Sequence, residues 1–258
     1  MLAPKKHALP PGRFETLGDW EPPGFARRVV TAYVPADHLR DGKRPALFLF
    51  DGQNVFDDTY SFAGGWYAQE AVDALPRSTC NVPVVVAIPH GGAGRIDELV
   101  PWKMAQGGGQ LAAFLAWVVS TVVPEAHQVY GTMSGPLGAV LGGSSLGGLA
   151  ALWGHLHHPE TFGGALCLSP SLWVAGRAVF KEARAFRRPA VSRVYLDCGG
   201  REASGRMLPV VREMADIFKA KGYSALQLRF RPDARAQHNE KAWRRRLPAA
   251  LRFMFRRG

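Results

Sequence analysis

The sequence predicts an α/β domain in which a mostly parallel β-sheet is flanked by helices. Short apolar runs alternate along the chain with longer windows of helical periodicity, and several of the runs end in Gly, Ser, Asp or His. Continuous apolar runs are typical of strands buried on both faces, and their alternation with helices is typical of parallel sheets. Of the 258 residues, 47% are hydrophobic and 21% are charged, which is the composition of a globular domain.

Seven apolar or β-branched runs are predicted to be strands. Most of them are followed by small or polar residues, as in the DGQN that follows 45–50 and the GSSLGG that follows 139–142. Open α/β sheets place their active sites at the carboxyl ends of strands, so this edge of the sheet is the predicted site. The predicted strands are 28–34, 45–50, 82–89, 139–142, 164–168, 191–196 and 225–230.

Five windows have the length and periodicity of helices. Residues 147–211 are largely taken up by two helical windows and two strands, so no large lid domain is expected. The predicted helices are 67–75, 110–123, 146–157, 203–220 and 240–255.

Several classes of protein are excluded. No stretch approaches the roughly 18 to 20 uncharged apolar residues that span a membrane, and the charged N-terminus is not followed by the apolar core of a secretory signal. The cysteines, Cys80, Cys167 and Cys198, are odd in number and widely spaced, so neither a disulfide framework nor a CxxC metal site is expected. We therefore expect a cytoplasmic protein with no membrane partner.

The net charge of +11 is concentrated near the C-terminus. Residues 221–258 contain eleven Lys or Arg and two acids, which leaves 21 basic and 19 acidic residues in the first 220. A basic segment can bind nucleic acid or another anionic partner, but a solvated helix face gives the same pattern. No DNA- or RNA-binding motif accompanies it, so a solvated surface is the favoured interpretation and no nucleic-acid partner is expected.

The sharpest local motif is GGSSLGG at 142–148, which contains G-x-S-x-G centred on Ser145. It lies between a predicted strand and a predicted helix. Glycines two residues before and after the serine allow a tight turn that exposes the hydroxyl above the sheet. The motif therefore predicts Ser145 as a nucleophile.

A serine nucleophile needs a histidine base, and the chain has eight histidines. His238 follows the last predicted strand and alone fits the order nucleophile, acid, histidine. His7 and His38 lie too early in the chain. His155 and His158 are one helical turn apart, but no Cys or carboxylate cluster supports a metal site there.

Longer motifs resemble the putative-esterase branch of the α/β-hydrolase superfamily, which holds enterochelin-esterase-like and feruloyl-esterase-like enzymes. They are FDGQNVFDD, GGWYAQEAVDAL, GRIDELVPW, LGGSSLGGLAAL, PETFGGALCLSPSLW, YLDCGGRE and QHNEKAWRRRLPAAL, and they span about 25–255. The resemblance implies an α/β-hydrolase catalytic domain at 25–258, preceded by an N-terminal extension at 1–24. It implies Ser145 as nucleophile, His238 as general base and Glu202 as the third triad member, with Asp197 as the local rival.

The resemblance also implies an oxyanion hole formed by the backbone N–H groups of Leu146 and Gln53. No metal or cofactor is expected, because the chain has no HExxH motif, no clustered Cys or His ligands and no dinucleotide fingerprint. Arg95 either pairs with a carboxylate to order its loop, which is favoured, or binds an anionic substrate group. Candidate residues of the substrate pocket are Trp66, His90, Arg95, Trp102 and Trp173.

The predicted function is therefore that of a cofactor-independent serine carboxylesterase acting on a small-molecule ester through an acyl-enzyme. An acyltransferase would use the same triad with an acceptor hydroxyl in place of water. A basic polyanion-binding protein on a hydrolase scaffold is the alternative from another class, and the complete set Ser145, Glu202 and His238 argues against it.

Overall fold

The computed structural model describes residues 12–37, 43–61 and 63–257. Its centre is an eight-stranded sheet in the order β1-β2-β4-β3-β5-β6-β7-β8. Strand β2 is antiparallel to both of its neighbours, and the strands from β4 to β8 are parallel. The strands are β1 (Arg13–Trp20), β2 (Arg28–Val34), β3 (Ala46–Phe50), β4 (Val84–Ile88), β5 (Ala139–Ser144), β6 (Gly164–Leu168), β7 (Arg193–Gly199) and β8 (Leu228–Asp233).

Helices cover both faces of the sheet. Buried apolar side chains of α1 and α9 pack on one face, and those of α3, α5, α7 and α8 pack on the other, which gives the three layers expected for buried parallel strands. The helices are α1 (Ala68–Asp73), α2 (Arg95–Leu99), α3 (Leu111–Trp117), α4 (Val123–Tyr130), α5 (Ser145–His157), α6 (Val174–Arg177), α7 (Val179–Ala185), α8 (Met207–Ala220) and α9 (Glu240–Met254).

The predicted α/β class, the parallel sheet and its seven strands are confirmed. The eighth strand, β1, lies within the segment interpreted as an N-terminal extension, and it pairs with β2 at the edge of the sheet. Seven of its eight residues are partly or largely exposed, so its sequence lacks the apolar run that marked the other strands. Residues 1–11 of the predicted extension, with His7, and also His38, lie outside the described residues.

One helical window extends beyond its predicted end at Val123. A π turn, Val118–Val122, joins α3 to α4, and Pro124 lies in the first turn of α4. Proline has no N–H to donate, so the regular helical hydrogen-bond pattern is interrupted at Pro124, next to the π turn. The short helices α2, α6 and α7 were not predicted, and no separate lid domain is present among the described residues.

The three cysteines are buried and form no disulfide bond among the described residues. No helix among the described residues is long and apolar enough to cross a membrane.

Candidate active site

Ser145 lies at the sharp turn between β5 and α5. Its φ of 54° is in the left-handed region, which a non-glycine residue adopts only where the surroundings enforce it. A Cβ on Gly143 would lie 2.5 Å from the carbonyl carbon of Gly147, and a Cβ on Gly147 would lie 2.9 Å from an Asp51 carboxylate oxygen. Both glycines of the motif are therefore required by close packing.

Two hydrogen bonds connect Ser145, His238 and Glu202. The Ser145 Oγ lies 2.9 Å from Nε2 of His238, and Nδ1 of His238 lies 3.0 Å from Oε2 of Glu202. Burial raises the pKa of Glu202, but hydrogen bonds from His238, Ser169 and the Gly199 N–H outweigh it and leave the pKa below its ordinary value. An ionised carboxylate only accepts, so Nδ1 carries the proton and Nε2 is left to accept from the Ser145 hydroxyl.

The loop that carries His238 is held against the end of β7. The N–H groups of Gly200 and Arg201 donate to the carbonyls of Asp233 and Ala236. A Cβ on Gly199 would lie 2.3 Å from the Ala236 carbonyl oxygen, so only glycine permits this approach. Gly199, the last residue of β7, thus allows the segment of Glu202 to lie close to the loop of His238.

Glu202 is fully buried in a polar cluster centred on Ser169. The Ser169 hydroxyl donates to Oε1 of Glu202 at 2.6 Å, and it accepts from Nε1 of Trp243 at 3.1 Å and from Nη2 of Arg246 at 2.7 Å. Trp243 also packs edge-on against the His238 ring, with the ring centroids 4.9 Å apart. The Ser169 hydroxyl therefore links the Glu202 carboxylate to α9 through hydrogen bonds.

Asp197 belongs to the same cluster but does not hydrogen-bond to His238. Its Oδ1 accepts from the Ser169 N–H at 3.1 Å, and its Oδ2 lies 3.4 Å from Nε of Arg246. Complete burial raises the pKa of Asp197 to about 7, against the opposing effect of the Arg246 charge. The structure thus separates the two rival carboxyl groups by their contacts.

The two predicted oxyanion donors follow adjacent strands. Leu146 begins α5 after β5, and Gln53 lies in the 3-10 turn Gly52–Asn54 after β3. A Cβ on Gly52 would lie 2.6 Å from the backbone of β4, so the turn needs glycine. Since β3 and β5 are paired in parallel, both N–H groups lie at the same edge as Ser145.

A sequence model described as "Putative esterase" matches residues 26–254. The chain belongs to this family. The membership confirms the predicted family and class of activity, so the protein is a carboxylic ester hydrolase.

Among curated proteins, the esterase is 24% identical over 242 residues to the uncharacterized protein YbbA of Bacillus subtilis (strain 168), covering 88% of this chain and 92% of that protein. It is 32% identical over 168 residues to the iron(III) enterobactin esterase of Dickeya dadantii (strain 3937). That match covers 64% of this chain and 35% of the relative, so the chain matches about a third of the relative's length.

Solved structures share the fold. The siderophore hydrolase EstA from Aspergillus nidulans superposes with a TM-score of 0.75 at 18% identity, covering 98% of this chain and 97% of that chain. The enterobactin esterase FES from Shigella flexneri superposes with a TM-score of 0.71 at 22% identity, covering 97% of this chain and 59% of that chain. The α/β-hydrolase fold predicted from the sequence motifs is therefore confirmed.

Arg95 of the esterase forms a two-point ion pair with a buried carboxylate. Its Nε and Nη2 donate to the two carboxylate oxygens of Asp51 at 2.6 and 2.8 Å. Asp51 is 2% exposed and precedes the turn of Gln53. This geometry matches the favoured interpretation of Arg95 as a residue that orders its loop.

The other candidate pocket residues have different environments. Trp66 is 1% exposed and packs edge-on against Trp243, so it is a core residue and does not form the wall of an open pocket. Trp102 is partly buried against the core, and Trp173 is 58% exposed. His90 is partly buried, and its backbone N–H donates to Oε1 of Gln53 at 3.3 Å.

The sequence did not single out four residues of the site: Ser169, Ser171, Trp243 and Arg246. The Ser171 Oγ lies 3.2 Å from the Ser145 Oγ. The two serines flank a proline directly after β6, and this position at the carboxyl edge of the sheet was the available signal. Trp243 and Arg246 lie on α9 with no local motif.

No group of three or more His, Cys, Asp or Glu in the described part of the chain is placed to hold a metal. In the histidine pair considered above, His155 is fully buried and uses both ring nitrogens, at 2.8 Å from the Phe162 carbonyl and 2.8 Å from the Ser192 hydroxyl. Burial lowers the pKa of His155 to about 4. This histidine therefore holds adjacent segments together.

Proposed function

We propose that the esterase is a serine carboxylesterase in which Ser145, His238 and Glu202 form the catalytic triad. The observation that carries this proposal is the pair of hydrogen bonds of 2.9 and 3.0 Å that joins the three side chains. Serine is a weak nucleophile, and an adjacent base oriented by an acid is the arrangement that activates it.

In the proposed reaction, the Ser145 Oγ attacks the ester carbonyl carbon while Nε2 of His238 takes the hydroxyl proton. The N–H groups of Leu146 and Gln53 stabilise the oxyanion, and His238 then returns the proton to the departing alcohol. Water, deprotonated by the same histidine, attacks the acyl-enzyme and releases the acid and free Ser145. Glu202 holds the imidazole in its tautomer and stabilises the imidazolium.

The choice of Glu202 over Asp197 is supported by charge as well as by contact. Hydrogen bonds hold the pKa of Glu202 below its ordinary value, whereas burial raises the pKa of Asp197. An ionised carboxylate is what an imidazolium needs beside it, and Asp197 has no contact with His238 to supply one.

The substrate is proposed to be a small-molecule ester, and enterobactin-type siderophore esters are the first compounds to test because relatives carry those names. An exposed aromatic surface near the nucleophile supports an aromatic substrate. Trp173, at 58% exposure, is two residues from Ser171, whose hydroxyl contacts Ser145. Analysis of the products in the presence of alcohols distinguishes hydrolysis from acyl transfer.

The proposal is tested with Ser145→Ala and with Ser144→Ala as the matched control, since Ser144 is the buried neighbour in the motif. Hydrolysis of p-nitrophenyl esters should fall to a residual level in Ser145→Ala and persist in the control. A fluorophosphonate probe should label wild type and Ser144→Ala at Ser145 only. Labelling of a folded Ser145→Ala protein would refute the assignment.

A further inference from the structure

A cleft lies at the outer edge of the sheet, between β8 and the C-terminal half of α9. It has a volume of about 430 Å³. Its polar lining consists of Tyr195 from β7, Arg229 and Arg231 from β8, Arg252 from α9, and Arg256 two residues beyond the end of α9. We call this the arginine cleft. Tyr195 and Arg229 are partners in the parallel register, so their side chains share the face of the sheet on which α9 packs.

The four arginines of the cleft carry uncompensated charge. None of them forms an ion pair with a described residue, whereas nearby Arg245 pairs with Asp233 at 2.6 Å. The guanidinium carbons of Arg229 and Arg256 each lie 5.6 Å from the centroid of the Phe253 ring, on which both groups pack. Since no carboxylate among the described residues pairs with them, their combined positive potential would attract an anion into the cleft.

One lining residue of the arginine cleft, Tyr195, is buried, and its hydroxyl lacks a hydrogen-bond partner among the described residues. The residue is 1% exposed. A buried hydroxyl without a partner is destabilising, so native structures seldom keep one without a reason. Burial and then Asp197 raise the pKa of Tyr195, and the charges of Arg231, Arg246 and Arg229 oppose the rise.

We propose that the arginine cleft binds a small polyanion, a ligand with two or more phosphate groups. Guanidinium groups donate paired hydrogen bonds that match phosphate oxygens, and the Tyr195 hydroxyl supplies one more donor. The volume falls within the range of small-molecule sites, roughly 300 to 1,000 Å³. The cleft contains none of the triad residues, so binding there does not depend on the proposed reaction.

Calorimetric titration of the full chain with inorganic tripolyphosphate tests the proposal, at about 20 and 150 mM NaCl. Saturable binding with a stoichiometry of one is expected, and it should weaken at the higher salt. Arg229→Gln with Arg252→Gln should weaken binding at least tenfold. The matched control, Arg187→Gln with Arg212→Gln, removes the same charge from exposed positions outside the cleft and should bind as wild type.

Tyr195→Phe is the second variant, because it removes only the unpartnered hydroxyl. It should weaken tripolyphosphate binding several-fold, and both it and the double arginine variant should keep wild-type ester hydrolysis, which confirms their folding. No saturable binding at low salt would overturn the proposal, as would an equal loss in the control. Binding of a DNA duplex that tripolyphosphate does not displace would also overturn it, by pointing to a macromolecular partner.

Discussion

The guanidinium group of Arg246 lies close to both buried carboxyl groups of the site, those of Asp197 and Glu202. Its Nε is 3.4 Å from Asp197 and its Nη1 is 3.5 Å from Glu202, and all three side chains are almost completely buried. One positive charge cannot compensate two buried negative charges, so one carboxyl must hold a proton more tightly. Asp197 is that carboxyl, since burial raises its pKa to about 7.

The first prediction at the residue scale separates these two acids. Glu202→Gln should lower kcat by as much as ~10⁴-fold, because the amide favours the wrong imidazole tautomer. Asp197→Asn should stay within about tenfold of wild type, because Asp197 does not touch His238. Steady-state kinetics on a p-nitrophenyl ester, with melting temperatures to verify folding, measure both. The opposite ranking would assign the triad acid to Asp197.

The second prediction concerns stability against pH. The pKa of Asp197 is higher in the folded than in the unfolded chain, so its contribution to stability is complete below about pH 4. It is lost as the pH rises to about 7, the folded-state pKa. The free energy of unfolding of Asp197→Asn, relative to wild type, should therefore increase between pH 4 and 8, by roughly 1 kcal/mol or more. Urea unfolding at several pH values measures it, and parallel curves would contradict it.

The sequence was informative about residues whose local pattern is distinctive. The G-x-S-x-G turn singled out Ser145, and its glycines are needed for the reason anticipated, since a Cβ would collide with backbone or with Asp51. Ser169 and Arg246 had no such pattern. Ser169 and Arg246 are 77 residues apart in the chain, and their hydrogen bond forms because the end of β6 and α9 pack together.

At the scale of elements, strands buried on both faces were predictable because their apolar runs are continuous. Predicted and observed bounds of the seven strands differ by three residues at most. The edge strand β1 was not predicted because its exposed positions break the apolar run. Helix α2 was not predicted because five residues are too few to show a helical period. Whether an edge strand or a short helix forms depends more on tertiary contacts than on the local sequence pattern.

The third prediction belongs to α9, which begins one residue after the cap Asn239. The Asn239 side chain accepts from the Ala242 N–H at 3.0 Å. Asn239→Ala should lower the free energy of unfolding by roughly 0.5 to 2 kcal/mol, and Asn239→Ser should retain most of it because serine also caps. Thermal or urea unfolding measures the difference. Equal stability of the alanine and serine variants would show that the cap contributes nothing.

At the scale of the whole molecule, the fourth prediction is that ester hydrolysis needs no metal ion. In the proposed mechanism, a nucleophile, a base and two oxyanion donors from the chain supply the functions of a Lewis-acid site. Activity after dialysis against a chelator should equal that of the untreated protein, with a zinc-dependent hydrolase as the control that loses activity. Loss of activity that one divalent ion restores would contradict the prediction.

The sequence places most of the net charge of +11 in residues 221–258, with eleven basic and two acidic residues, but it does not show how the arginines are arranged. Residues 229 and 231 alternate onto one side of β8, and the same cleft contains Arg252 of α9 and Arg256, which lies two residues beyond the end of α9. Arg229, Arg231 and Arg252 are exposed, so the solvated surface favoured from the sequence remains a prediction beside the proposed arginine cleft. The tripolyphosphate titration decides whether the cleft has a ligand.

Ser145 and His238 are 93 residues apart, and Glu202 lies between them in the chain. On a ribosome adding about 5 to 20 residues per second, the serine is made roughly 5 to 20 seconds before its histidine. A nascent chain that has already folded β5 and α5 therefore has a nucleophile without a base. If the proposed triad acts, ester hydrolysis begins only after β8 and α9 have emerged from the ribosome and docked.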